Sequence, residues 1–275
     1  MTASQPEVIV AGAFEDIRSR HIRLLQEAAK LGAVTVLLWQ EDPLERATAK
    51  LPLFSFEERL YFLRAVRYVH RVVPAGDWAP ADRLPAISGV HPKVWVDTVR
   101  VSNAARLAWC REQGIEYAVL HPERLAGFPE MPLSPGTSGR RKVVVTGCYD
   151  WLHSGHVRFF EEVSTYGDLY AIVGHDANIR LLKGPGHPLL PQEERRYLIG
   201  SIRFVTQALI STGEGWLDAD PEIQRIKPDV YAVNEDGDRG GKREYCAQRG
   251  IEYLVLKRTP APGLPRRSST DLRGF

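Results

Sequence analysis

The sequence predicts two tandem α/β domains, each built on a parallel sheet with helices on both faces. Three observations carry this: an internal repeat, apolar runs that end in glycine, and a steady alternation of strand and helix patterns. The string GIEYAVL at 114–120 returns as GIEYLVL at 250–256, an offset of 136 residues between Gly114 and Gly250. EERLYFLRAVRYV from Glu57 aligns with EERRYLIGSIRFV from Glu193 at the same offset. GAFEDIRSRHIRLLQE from Gly12 aligns with GCYDWLHSGHVRFFEE from Gly147 at an offset of 135, so one indel lies between. Three blocks in one order read as duplication of a unit of about 135 residues, a normal domain size.

Each element follows from its pattern. VIVAG at 8–12 and VVVTG at 143–147 are short β-branched runs ending in glycine, the signature of buried parallel strands. After the second run, Val157, Phe160 and Val163 recur at helical spacing, with Arg158, Glu161 and Glu162 between them. LYAIVG at 169–174, whose counterpart is VTVLLW at 34–39, is the next strand. EERRYLIGSI then reads as a helix, and FVTQALI, DVYAV and YLVL as strands. A strand–helix–strand series of this kind forms βαβ units. Each half is therefore expected to be a Rossmann-like three-layer α/β/α domain with a parallel sheet. Ligands on such sheets sit at the carboxyl ends of the strands, where the strand order reverses. Pro129, Pro132, Pro135, Gly136 and Gly139 crowd the stretch FPEMPLSPGTSGR. That density places a linker at 133–140, with a first domain at 1–132 and a second at 141–275.

Composition excludes several classes. Of 275 residues, 44% are hydrophobic and 25% charged, which is ordinary for a globular chain and unlike a disordered or fibrous one. The net charge of +2 argues against a dedicated nucleic-acid binder. No apolar run approaches the roughly 18 residues of a membrane span, and the N-terminus lacks a secretory pattern. The expectation is a cytoplasmic protein with no membrane span. Cys110, Cys148 and Cys246 form no CxxC pair, so neither a disulfide framework nor a structural zinc site is indicated.

The chemistry concentrates in TGCYDWLHSGH at 146–156, between a strand end and a helix start. A helix N-terminus offers unpaired N–H groups and positive partial charge to a phosphate. His153 and His156, three residues apart, fall on one side of its first turn. Gly155 has no Cβ and admits a close approach. Alone, four residues of this kind are as readily two structural histidines. Three further elements shift the balance: a flexible basic loop, KGPG, from Lys183; QEERR at 192–196; and KRT at 257–259 followed by RRSSTDL from Arg266. Hydroxyls at a second helix start, flanked by arginines, make another anion seat.

On these motifs the second half resembles the cytidylyltransferase-like branch of the HIGH-motif nucleotidyltransferases. GCYDWLHSGH is similar to their GxFDxxHxGH, KGP…PQEERRY to the KGP…QEERY of ethanolamine-phosphate cytidylyltransferases, and KRT…RSSTDL to their KRTxGxSTTDL, with seven residues between Arg258 and Arg266. Those enzymes also carry tandem domains. The resemblance implies that a substrate phosphate attacks the α-phosphate of a nucleoside triphosphate and releases pyrophosphate. It implies catalytic roles for His153, His156 and Lys183. It implies nucleotide contacts by Gly147, Cys148, Tyr149, Asp150, Gly155, Arg195, Arg196, Asn234, Asp236, Arg267, Ser268, Ser269 and Thr270, and substrate contacts by His175 and Asp176. No protein-held metal is expected, and Mg²⁺ comes with the triphosphate. CTP is the expected nucleotide, on KRT…SST alone. The acceptor is a small phosphorylated alcohol, sugar or phosphonate. An ATP-dependent adenylyltransferase of the heptose-phosphate type is the alternative, and a nucleotide-binding regulator without turnover is the alternative of another class. A homodimer is allowed by the sequence and not required. An aminoacyl-tRNA synthetase fragment is set aside, because no KMSKS-type loop is apparent.

The first half departs from the pattern. Arg18 stands where the second half has His153 and Arg20 where it has Gly155; only His21 keeps its partner, His156. Trp39 replaces Gly174. The first half is therefore expected to be catalytically silent, either packing against the second or holding a substrate or regulator. In NEDGD at 234–238 two readings stand: acidic ligands for ribose, base or metal, or simple turn chemistry.

Overall fold

The computed structural model describes residues 5–40, 53–76, 82–130 and 139–272. The chain divides into two compact units, Met1–Gly127 and Phe128–Phe275. The division falls between Gly127 and Phe128, upstream of the expected linker at 133–140. The cause is local. Phe128 packs on Tyr197, with ring centroids 6.1 Å apart, and Glu130 accepts from Arg196 at 2.8 Å. The expected linker falls mainly on 133–138, outside the described residues.

The first unit runs β1 (Glu7–Gly12), α1 (Ser19–Ala28), β2 (Ala33–Leu38), α2 (Phe56–Ala65), β3 (Arg71–Pro74), β4 (Val94–Thr98), α3 (Ala104–Gln113), β5 (Glu116–Leu120) and α4 (Pro122–Leu125). The second runs β6 (Lys142–Gly147), α5 (Ser154–Ser164), β7 (Asp168–Val173), α6 (Asp176–Lys183), α7 (Gln192–Gly200), β8 (Val205–Ile210), α8 (Asp220–Ile226), β9 (Val230–Asn234), α9 (Lys242–Arg249), β10 (Glu252–Leu256) and α10 (Ser269–Leu272). Short 3₁₀ turns, Gly215–Leu217 and Glu235–Gly237, follow β8 and β9.

Both sheets are parallel and share one topology. Their orders are β3-β2-β1-β4-β5 and β8-β7-β6-β9-β10. The repeat reaches down to register: Glu7 pairs with Ala33 in the first unit, and Lys142 with Asp168 in the second. The strands expected from the apolar runs are present. Val143, Val144 and Val145 are fully buried, as valines covered on both faces of a sheet must be. On one face Ile223 and Ile226 of α8 and Tyr245 and Cys246 of α9 pack against Tyr170, Tyr231 and Val233. Val157, Phe160 and Val163, the apolar stripe read from the sequence, are fully buried on α5. Cys110 and Cys246 are buried free thiols.

The strand order reverses between β6 and its two neighbours, β7 and β9. Their carboxyl ends converge on the segment that enters α5, which is where an open α/β sheet binds its ligand.

Candidate active site

The loop from β6 to α5 is shaped by its own residues. Tyr149 adopts the left-handed region (φ 52°), and its ring lies over Gly147, where an added Cβ would come within 2.7 Å of it. The same ring meets His156 edge-on at 5.5 Å. His153 is the N-cap of α5: its Nδ1 accepts from the Gly155 N–H at 3.1 Å. That fold-back explains Gly155, since a Cβ there would approach the His153 ring to 3.0 Å. Glycine is required by the neighbouring imidazole first, and by any ligand second.

The two imidazoles stack, with centroids 3.9 Å apart and planes 28° off parallel. His153 is 1% exposed. Among the described residues, its Nε2 and the Nδ1 of His156 are buried without a hydrogen-bond partner. Burial, with Arg258 and Arg267 nearby, pushes His153 down to about 3. Burial, then the neighbouring His153 and Arg258, holds His156 well below the ordinary histidine range. Both rings are therefore neutral near pH 7. Because Nδ1 of His153 is an acceptor, its proton sits on Nε2, a donor without a partner. Buried polar groups are normally satisfied, so an unpaired donor beside an unpaired ring nitrogen marks where a polar ligand belongs.

Cations surround the pair. Lys183 is exposed at the end of α6, close enough to hydrogen-bond the Cys148 thiol and to act on His156. Burial nevertheless pushes that thiol up. A shallow cleft open to solvent runs beside α5, between Gly155, Phe159 and Glu162 on the helix and the segments 257–260 and 266–267, with Asn234 at the end of β9. Lys257, Arg258, Arg266 and Arg267 all line it. Arg258 is the residue that the motif reading left out of the site. It bridges from the carboxylate of Asp236 to the carbonyl of Arg267 and acts on both histidines. Its signal was its place in KRT, directly after β10.

Several expected ligands are occupied elsewhere. Arg195 is fully buried and donates to the carbonyls of Cys148 (2.7 Å) and Leu190 (2.9 Å) and to Asp176 (2.6 Å). It ties three segments together, with Asp176 as its ion-pair partner. Arg196 pairs with Glu130. His175 caps α6, its Nδ1 accepting from Asn178 N–H and its Nε2 lying 2.8 Å from the Gly213 carbonyl. Both its ring nitrogens are taken. Asp150, 3% exposed, accepts from the Leu189 and Leu190 N–H groups at 2.6 and 3.1 Å. It anchors the loop after Lys183, which was read as flexible; Lys183 itself closes a helix, with Gly184 at φ 82° as its cap. Asp236 serves Arg258, and Asp238 serves Arg243 and Tyr253, so NEDGD positions a cation and makes a turn. Ser269 donates to the Trp151 carbonyl at 3.2 Å, docking α10 on the motif loop. Leu272 N–H bonds the Ser268 carbonyl. The side chain of Thr270 lies outside the described residues. Among the described residues no group of three or more His, Cys, Asp or Glu is placed to hold a metal ion, and no helix is long and apolar enough to cross a membrane.

The first unit shows the same loop without its chemistry. Phe14 takes the left-handed conformation of Tyr149 (φ 53°) and meets His21 edge-on at 5.6 Å. Here Nδ1 of His21 accepts from the Arg18 N–H at 3.0 Å, and Arg20 Nε lies 3.4 Å from its Nε2. Trp39 is buried. Where the second unit has two ring nitrogens without partners, the first has one histidine with both nitrogens engaged.

Fold and site together define a class, the nucleotidyltransferases. The chain belongs to the cytidylyltransferase-like family, whose model matches residues 9–133 and 144–274, one match in each half. It is similar to the FAD synthase of Ferroglobus placidus, 38% identical over 120 residues, 42% of this chain and 75% of that protein. It is also similar to the FAD synthase of Methanocella paludicola, 30% identical over 135 residues, 48% of this chain and 93% of that one. The bifunctional protein HldE of Nitratiruptor sp. is 34% identical over 129 residues, 45% of this chain and 27% of its own length.

Proposed function

We propose that the second unit transfers the nucleoside monophosphate of ATP to a small phosphorylated acceptor and releases pyrophosphate. The observation that carries this is the stacked pair of neutral imidazoles, His153 buried and His156 half-buried, with unpaired nitrogens beside Lys183 and the cationic wall of the cleft. An oxygen of the acceptor phosphate forms a bond to the α-phosphorus, and the bond from that phosphorus to the bridging oxygen of the β-phosphate breaks. The electron pair leaves with pyrophosphate. Charge grows on the equatorial oxygens of the α-phosphate as this occurs. The Nε2–H of His153, beside His156, is the donor aimed at that charge. Lys183 draws the two phosphates together, and Arg258, Arg266 and Arg267 hold the β- and γ-phosphates. Mg²⁺ arrives as part of the nucleotide. No covalent intermediate is needed, since positioning and charge stabilisation suffice.

CTP was expected from KRT…SST alone. The similar proteins are FAD synthases and HldE, and FAD contains an adenylyl group, so ATP takes precedence here. The test is pyrophosphate release by the purified chain with each nucleoside triphosphate and a panel of phosphorylated acceptors: FMN, sugar phosphates, ethanolamine phosphate and a phosphonate. Turnover with ATP and one acceptor is the expected result. Turnover with CTP and none with ATP would restore the cytidylyl reading. No turnover with any pair, together with tight nucleotide binding, would favour a regulator.

A further inference from the structure

The cleft beside α5 has an asymmetric lining. One wall, the segments 257–260 and 266–267, carries four cations. The other is a stripe of α5, Gly155, Phe159 and Glu162, spaced four and three residues apart and so stacked on one helical face. At about 1.5 Å of rise per residue, Phe159 lies about 6 Å and Glu162 about 10 Å along the helix from Gly155. The phosphate donors gather at the Gly155 end, so the far end receives the other end of a nucleotide, its base. There the lining changes character, to an aromatic ring and a single carboxylate. Arg158 donates to Oε1 of Glu162 at 2.7 Å, one turn away on the same helix, and so fixes the carboxylate. Among the described residues Oε2 has no hydrogen-bond partner.

A carboxylate only accepts hydrogen bonds. The 6-position of adenine and the 4-position of cytosine carry an amine, which donates; hypoxanthine, guanine and uracil carry a carbonyl oxygen there, which accepts. We infer that Glu162 is a specificity-determining residue that reads the exocyclic amine of the base, admitting amino bases and rejecting oxo bases. A carbonyl set against Glu162 leaves two acceptors facing each other with no proton between them, and both have given up water to be there. Sites that hydrogen-bond a substrate group discriminate strongly against analogues that lack it. Glu162 so placed separates ATP and CTP from their oxo counterparts and does not choose between the two amino bases.

The inference rests on the nucleotide reading of the cleft, and its test is separable from that reading. ATP and ITP differ only at the 6-position. In the wild type kcat/KM for ATP is expected to exceed that for ITP by at least about 10-fold. In Glu162→Gln, whose amide can donate as well as accept, the ratio is expected to fall to within about threefold, chiefly through recovered ITP turnover, with Tm unchanged. CTP and UTP provide the same comparison. Glu162→Ala guards against the amide's adopting the carboxylate's role: it too is expected to lose the discrimination. Equal ATP-to-ITP ratios in the wild type, Glu162→Gln and Glu162→Ala overturn the assignment while leaving transferase activity in place. Absence of both turnover and nucleotide binding overturns the nucleotide reading itself; where nucleotides bind without turnover, equal ATP-to-ITP affinity ratios in the three proteins overturn the assignment of Glu162.

Discussion

At the scale of single residues, protein surroundings keep the two histidines of the site uncharged. His153 has its ordinary value of 6.5 lowered to about 3 by burial, helped by two guanidiniums. The sign for stability follows. Between those values the unfolded chain binds a proton at this position and the folded chain does not, so stability rises with pH across the window. The contribution is complete above about pH 6.5 and is lost as pH falls toward 3. Imidazole NMR of the free protein is expected to show His153 unprotonated, with flat shifts, from pH 8 to pH 5. A titration midpoint near 6.5 would mean that the ring is solvated and charged in the resting state, and the neutral-donor account would fail.

At the scale of elements, Arg195 shows how a residue that reads as a phosphate ligand can instead be a strut. Its guanidinium joins the loop after β6, the loop before α7 and the start of α6. Its counterpart in the first unit, Arg59, makes the corresponding contact to the carbonyl of Ala13 and also donates to the carbonyls of Trp39 and Gln40. The strut thus persists where the histidine pair is gone, as expected of a residue that serves the fold. Arg195→Met is expected to destabilise the protein by about 3–5 kcal/mol in urea unfolding, because buried acceptors and Asp176 lose their partner. An unchanged unfolding midpoint with a raised KM for the nucleotide would return Arg195 to the phosphate site. Asp150 acts in the same way on the loop after Lys183, and His175 on the turn after β8.

At the scale of the whole molecule, one chain carries two copies of a fold and one complete site. Sheet order, strand register and the left-handed loop residue are shared, so the duplication preserved the scaffold. The unpaired ring nitrogens were not shared. His156→Ala is expected to lower turnover by about 10²–10³, the typical cost of removing a donor that acts in the transition state, and His21→Ala to leave it within about twofold. Titration calorimetry is expected to find one nucleotide bound per chain. Comparable losses from both variants, or two nucleotides per chain, would give the first unit a part in binding or chemistry.

The duplication, the five strands of the second half and the histidine pair were all legible in the sequence, because each is encoded locally, whereas Arg71–Pro74 and Val94–Thr98 of the first half were not read as strands. A β-branched run ending in glycine makes a buried strand wherever it lies, and HSGH at a helix start presents its imidazoles whatever packs nearby. The divergence of the first half was legible on the same ground, as Arg18 and Arg20 stand where the second half has His153 and Gly155. The destinations of Arg195, Arg196, His175, Asp176 and Asp236 were not, nor was the importance of Arg258 or the exposure of Glu162 to a cleft. Those side chains are long or bifunctional, and their partners lie on other elements, many residues away. A motif states which charges are present near a strand end; which of them face a ligand and which are spent on the protein's own carbonyls and carboxylates is settled only when the sheet brings those distant groups within hydrogen-bond range.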